Sequence, residues 1–210
     1  MVAVVSAHFG DYHQRPVALP QQSLPGQAVL VSDKEQNLYG WQTIVTDLGS
    51  SPRMASKIVK CHPERYVIDD IVIWIDAQLR VTSTEFAAFC IEHLGNDDIA
   101  LMRHPWRRTL LDEGAAGSSD PRFVGQHPLE QSRHYVALGH PDDWGLYWTM
   151  IVVRRMTPQV LDLGTRWLTE QERWSTHDQV SFPHVCRTTV GRPAELPFPT
   201  DLAWLEGYPP

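Results

Sequence analysis

The stretch Val67–Val81, VIDDIVIWIDAQLRV, decides how the rest of the chain is read. It opens with Asp69 and Asp70, runs through Ile71-Val72-Ile73-Trp74-Ile75 and stops at Asp76. Apolar residues at successive positions mark a strand buried on both faces, as at the centre of a parallel or mixed sheet. Open α/β sheets carry their ligand crevice at the carboxyl ends of such strands. Asp76 therefore stands where a buried strand delivers its last residue into a crevice. Ala77 is small, and Gln78 returns an amide to the same side. Taken alone, D-A-Q is most simply a strand whose terminal Asp caps a turn; the wider chain shifts that weighting.

A chain of 210 residues, 42% hydrophobic and 20% charged, is expected to form one sizeable globular core. No apolar run approaches the ~20 residues that span a bilayer. The start, MVAVVSAHFGDY, lacks the basic segment and long apolar core of a signal peptide. Three scattered cysteines (Cys61, Cys90, Cys186) fit neither a disulfide framework nor a zinc site. Ten histidines give no recognisable zinc motif. A cytoplasmic location is the expectation. The net charge of −7 argues against a sequence-blind polyanion binder. A local cationic site stays open: arginine supplies most of the 18 positive residues, and lysine occurs only as Lys34, Lys57 and Lys60. Arginine is the better fork for phosphate oxygens.

Val2–Ser6 reads as a first buried strand, followed by the small aromatic loop Ala7–Tyr12. Gly10 would let backbone approach a ligand, and Phe9 or Tyr12 could stack on a flat base, with an ordinary buried aromatic about equally expected. Pro16, Pro20, Pro25 and Gly26 predict an irregular excursion, then Ala28–Val31 a strand ending at Asp33, placed to accept from a ribose or base. Trp41–Thr46 alternates as a third strand. Ser51-Pro52 starts a helix with Met54, Ile58 and Cys61 on one face and Arg53, Lys57 and Lys60 on another. A solvated basic face is the default for those three; a diphosphate contact needs Arg53 or Lys57 near Asp76. A helix over Glu85–Leu94 ends at Gly95, and Asp98–Met102 is a buried strand delivering Arg103-His104-Pro105-Trp106-Arg107-Arg108. That cluster suits phosphate, carboxylate or sugar hydroxyls, with Trp106 able to stack on a sugar face. Residues 114–125, GAAGSSDPRFVG, have the composition and length of an active-site lid. Pro128 opens a further helix, LYWTMIVVRR (146–155) is a strand, and Thr157-Pro158 starts the next helix. Ser175 caps a last helix with Asp178 and Gln179 in its first turn, which Pro183 kinks or ends. No internal repeat or domain linker is evident. From Gly191 the chain is Pro-rich and reads as an extended arm.

VVSAHFGDY, VLVSD, PRMASKIVKCHPERYVIDDIVIWIDAQLRV, DIALMRHPWRR and GLYWTMIVVRR followed by RWSTHDQVSFPHV occur in an order that spans residues 2 to about 188. In that order they resemble the glycosyltransferase-like family once catalogued as a domain of unknown function and related to plant mucilage-type transferases, with similar proteins in bacteria and phages. D-A-Q looks like a degraded D-x-D element, in which two carboxylates at a strand end hold a divalent cation and a sugar diphosphate. The resemblance implies an α/β, GT-A-like, Rossmann-type mixed central sheet flanked by helices in a single domain. Residues 1–190 would form the nucleotide-sugar-binding catalytic domain and 191–210 a tail packed on it. It also implies that Phe9, Gly10, Tyr12 and Asp33 face the nucleoside, and that Arg53 and Lys57 approach the ribose or diphosphate. Asp76 with Gln78 would replace the D-x-D element. His104 and Arg107 would line the sugar or acceptor side, and Asp178 with Gln179 would lie beneath the anomeric carbon or the acceptor. Ala77 and Gln78 stand where relatives usually carry Gly and Asn, and His177 where Arg is commoner. A single carboxylate leaves manganese or magnesium short of oxygen ligands; His184 or the diphosphate could compensate.

Glycosyl transfer must stabilise a departing diphosphate and an oxocarbenium-like sugar while a base takes the acceptor's proton. Lys57, Arg53 or Arg107 would serve the diphosphate, with or without a metal at Asp76. Asp178 would be the base of an inverting enzyme or the stabilising charge of a retaining one; a first-turn acid favoured by the helix dipole is the plainer account of it. The expected donor is a nucleoside diphosphate sugar, a UDP-sugar favoured, and the expected acceptor is soluble: a glycan, a protein or a modified nucleobase, with nucleic acid still open. Two other classes remain: a nucleotide-sugar-binding module without turnover, and a hydrolase using His104, for which no G-x-S-x-G or H-E-x-x-H pattern is present.

Overall fold

The structure, a computed structural model, describes residues 1–11 and 16–205; Tyr12 lies outside the described residues. Its strands are β1 (Val2–His8), β2 (Gly26–Ser32), β3 (Gln42–Val45), β4 (Ile71–Ile75), β5 (Leu79–Val81), β6 (Ile99–Arg103), β7 (Tyr147–Arg155), β8 (Ala194–Glu195) and β9 (Ala203–Leu205). Its α-helices are α1 (Pro52–Cys61), α2 (Phe86–Leu94), α3 (Leu110–Ser118), α4 (Pro128–Ala137), α5 (Pro158–Arg173) and α6 (Asp178–Thr189).

Seven strands form one mixed sheet in the order β3-β2-β1-β4-β7-β6-β8, and β5 pairs with β9 apart from it. β4 is central, parallel to β1 on one side and antiparallel to β7 on the other. Its run of apolar residues has the expected cause. Val72 and Trp74 enter the core on one face, Ile73 and Ile75 the core on the other, and all four are buried. The first core takes Val59 and Cys61 of α1, Leu163 and Trp167 of α5, and Phe182 and Val185 of α6. The second takes Phe86, Cys90 and Leu94 of α2. The result is a single α/β domain with helices on both faces of a Rossmann-type sheet, and the carboxyl end of β4 opens among α1, β7 and α6.

Three sequence expectations change. Residues 114–125 are no loose lid: Gly114–Ser118 complete α3, and Pro121–Phe123 form a 3-10 turn. Thr109 caps α3 by accepting from the Asp112 amide at 3.1 Å. The small residues serve close packing, because a Cβ on Gly114 would lie 2.2 Å from Ser132 Oγ of α4. Ser175 does not cap α6 but donates to Gln131 Oε1 at 2.7 Å, and the helix begins at Asp178. Pro183 does not end it, since a helix buried through Phe182, Val185 and Cys186 is held by tertiary packing despite the lost backbone bond. The Pro-rich stretch after Gly191 packs by strand pairing: β8 extends the sheet beside β6, and β9 pairs with β5. No helix among the described residues is long and apolar enough to cross a membrane.

The seating of α1 depends on Gly164 of α5. A Cβ there would lie 2.2 Å from the carbonyl oxygen of Cys61, a backbone atom with no rotamer to escape into. Gly164→Ala should therefore destabilise the fold by about 1–3 kcal/mol, lowering the melting midpoint by roughly 2–4 °C per kcal/mol. Thermal circular dichroism checks this, and an unchanged midpoint would contradict so close a helix pair.

Candidate active site

α1 sets three cations on one line. Arg53, Lys57 and Lys60 fall at i, i+4 and i+7 and so share a face, and this face turns inward: Lys60 is wholly buried and Arg53 is buried. The default of a solvated basic stripe is overturned here. Lys60 Nζ donates to Asp178 Oδ2 at 2.6 Å, to Thr149 Oγ1 at 3.2 Å and to Asp76 Oδ1 at 3.3 Å. Those three bonds use the three N–H groups of an ammonium. The rings of Trp74 and Trp167 flank it at 5.6 and 5.8 Å. Lys57 Nζ meets the same Asp178 oxygen at 2.7 Å, and Thr149 Oγ1 donates to it at 3.0 Å.

Burial alone would raise the Asp178 carboxyl, but the two ammonium groups outweigh it and hold Asp178 far below the usual carboxylate range. Burial likewise opposes the charge on Lys60, yet Asp178 and Asp76 raise it above an ordinary lysine. Lys57 differs: burial, aided by the neighbouring Lys60 charge, lowers it although Asp178 pulls the other way. Asp178 also sits at the first position of α6, where the helix dipole favours a negative charge.

A second cluster adjoins the first. Glu113 of α3 is wholly buried, and Arg107 Nε donates to its Oε2. His177 Nε2 lies 2.8 Å from Oε1 and His104 Nε2 lies 3.4 Å from Oε2. Burial would raise Glu113, but His177 and Arg107 beside it bring its carboxyl down to about 2. His104 Nδ1 accepts from the amides of Trp106 (3.3 Å) and Arg107 (3.0 Å), while its Nε2 stands 3.2 Å from Arg107 Nη2 and 3.4 Å from Glu113 Oε2. Burial lowers His104 to about 4, so the ring is neutral at pH 7. His177, where the resemblance led one to expect Arg, stacks on Phe123 at 4.3 Å.

Both clusters line one cleft of about 400 Å³ at the carboxyl ends of β4 and β6. Arg53, Lys57, Asp76, Gln78, His104, Arg107, Asp178 and Gln179 all reach it. Phe9 does not: it is buried in the core and presents no face to a base. Gly10, at φ +57°, donates its amide to Asp33 Oδ2 at 2.8 Å, which ties the β1 and β2 loops together away from the cleft lining. His184 is elsewhere, stacked on Tyr135 at 4.2 Å. The sequence placed Lys60 only on a solvated basic face, and it did not point to Thr149, Glu113 or Phe123 as part of the site. Lys60 alone left a signal, as one of the chain's three lysines, one helical turn beyond Lys57.

The donor set does not suit a divalent cation. Asp76 is one carboxylate, and its Oδ1 already accepts from Trp74 Nε1 at 2.8 Å and from Lys60. Gln78 adds only an amide, and His184 is occupied in a ring stack. Among the described residues no three His, Cys, Asp or Glu converge as a metal site. An ion on Asp76 would also sit beside the Lys60 ammonium, where like charges repel strongly at a cleft wall.

Antiparallel β7 is set into an otherwise parallel run, and the cleft lies at the carboxyl end of β4. The apo structure of WbbM, a bifunctional glycosyltransferase, superposes on 93% of this chain with a TM-score of 0.57 and 14% identity. The galactosyltransferase LgtC, in complex with donor and acceptor sugar analogues, superposes on 92% with a TM-score of 0.51 and 8% identity. The chain spans 38% of the WbbM chain and 72% of the LgtC chain. No protein-family model matches the sequence, and no curated protein does.

The buried imidazoles make stability depend on acid. Burial also lowers His140 to about 4. A histidine whose folded value lies below its unfolded 6.5 gives stability that is complete above pH 6.5 and is lost as pH falls toward about 4. Each of His104 and His140 should remove up to about 3 kcal/mol across that window. Denaturant midpoints at pH 7.5, 6, 5 and 4.5 should decline steadily; a flat profile would contradict neutral buried rings.

Proposed function

We propose that the protein is a glycosyltransferase that takes a sugar from a nucleoside diphosphate sugar, a UDP-sugar favoured, and passes it to an acceptor hydroxyl. One observation carries this reading: Asp76, at the end of the central strand, shares a cleft with Arg53 and Lys57, Arg107, and Asp178, drawn from three other segments of the chain. A nucleotide-sugar transferase needs cations for the leaving diphosphate beside a carboxylate for the developing positive sugar. The fold shared with WbbM and LgtC supports the same class, and the donor and acceptor sugar analogues bound to LgtC fit a nucleotide-sugar donor.

In the reaction the bond from the anomeric carbon to the diphosphate oxygen breaks, and its electron pair leaves on that oxygen. The acceptor oxygen forms the new bond to the anomeric carbon. Asp178, held strongly anionic by two lysines, is a poor proton acceptor and a good fixed charge. Its role is to steady the oxocarbenium-like sugar. The acceptor's proton passes to the departing diphosphate oxygen, whose basicity rises as the bond breaks. His104 and Arg107, fixed by Glu113, line the sugar or acceptor side, and Gln179 hydrogen-bonds sugar hydroxyls. Asp76 and Gln78 orient the donor at the strand end.

Asp76→Ala should lower sugar transfer, or donor hydrolysis where no acceptor is supplied, by at least about 100-fold, and, because Asp76 Oδ1 accepts from buried Lys60 and from Trp74 Nε1, should also lower the melting midpoint while the protein still folds. The assay follows release of UDP from a panel of UDP-sugars. Undiminished release by the variant would sink the assignment of the strand-end carboxylate.

A further inference from the structure

The charge of a diphosphate has to be met by something in the cleft. Where a divalent ion would serve, this chain offers one carboxylate, an amide and a buried ammonium group. Lys60 is spent: its three N–H groups go to Asp178, Asp76 and Thr149, and no part of it reaches solvent. Lys57 is placed differently. Its Nζ lies 2.7 Å from Asp178 Oδ2, yet 16% of its side chain is exposed and it lines the cleft. An ammonium has three N–H groups, so one held by Asp178 leaves others for a second anion. Arg53, one helical turn earlier on the same face of α1, brings a guanidinium to the same wall. Lys60 thus stands on the strand-end acid Asp76 and Lys57 on its neighbour Asp178, two of the chain's three lysines at one cleft wall.

We propose that the Lys57 ammonium, seated on Asp178 and backed by Lys60, takes the part of a divalent cation, so that the cleft binds the diphosphate of its donor without metal. The inference rests on reading the cleft as a nucleotide-sugar site. Lys60 neutralises Asp76 and shares Asp178, which removes the repulsion those carboxylates would exert on phosphate oxygens. Lys57 then bridges Asp178 and the diphosphate. As the anomeric carbon–oxygen bond breaks, the electron pair left on the phosphate oxygen is neutralised by an ammonium already in place. Asp178 meanwhile remains paired through Lys60 and Thr149, so it is not left as an uncompensated buried charge.

The test is calorimetric titration of the full chain with UDP, dTDP, GDP and CDP, each in EDTA and in manganese. The nucleotide that binds should do so with affinities within about twofold in the two buffers, and Lys57→Met should weaken it at least tenfold in EDTA. Lys57→Arg should retain most of the affinity. Binding that appears only with manganese would overturn the inference and leave the donor cleft standing. So would a folded Lys57→Met protein that binds as the parent does in EDTA. The metal comparison uses the unaltered chain and decides the matter even if Lys57→Met fails to fold. No binding of any of the four, in either buffer, by protein with a native melting transition would overturn the nucleotide-sugar reading itself and the inference with it.

Discussion

A lysine with no exposed surface, held against Asp178 at 2.6 Å, is the contact on which the rest of this structure depends. A buried ammonium is tolerable only when its protons are matched, and those of Lys60 are matched by groups from three elements: β4 through Asp76, β7 through Thr149 and α6 through Asp178. The main chain is fixed as well, since Arg154 of β7, itself buried, donates to the Lys60 carbonyl at 2.7 Å. The central strand, its antiparallel neighbour, the first helix and the last helix are thus registered against one another around one charge. Removing Asp178 would leave buried Lys60 with Asp76 at 3.3 Å as its remaining carboxylate. Such clusters set geometry more than they add net stability.

Glu113 does for the far wall what Lys60 does for the near one. Its carboxylate gathers Arg107 and His104 from the loop after β6 and His177 from the entry to α6. Because His177 directly precedes Asp178, the two networks are joined by a single peptide unit. The cleft is therefore largely preformed, its walls held by these two networks. Charges held in place in this way meet a charged ligand with little reorganisation.

Much of the sheet could be read directly. The unbroken apolar run Ile71–Ile75 can be satisfied only between two helical layers, so its centrality follows from composition. The helix starts at Ser51-Pro52 and Thr157-Pro158 are likewise written in local chemistry, because a hydroxyl and a ring-fixed φ act on adjacent residues. The misread stretches are those where local chemistry is ambiguous. Small residues at 114–118 suit both a loop and a tightly packed helix, and only Ser132 and Pro128 opposite them decide between the two. Phe9 reads equally as a stacking platform or as core, and the β1–β4 core took it.

The same division holds in the site. The sequence determined which residues could do chemistry at the strand ends: Asp76 after β4, His104 and Arg107 after β6, and Asp178 with Gln179 opening α6. The strand-end places of Asp76, His104 and Arg107 follow from periodicity, whereas the site roles of Asp178 and Gln179 are what the family resemblance implies. The sequence did not determine which charges would meet. Lys60 and Asp178 are 118 residues apart, and nothing in either neighbourhood announces the other; a basic helical face reads the same whether it meets water or a buried acid. Only the packing of α1 and α6 on the sheet turned that face inward. Pairing between distant charges is a property of three-dimensional distance and local dielectric, and neither exists until the chain has folded.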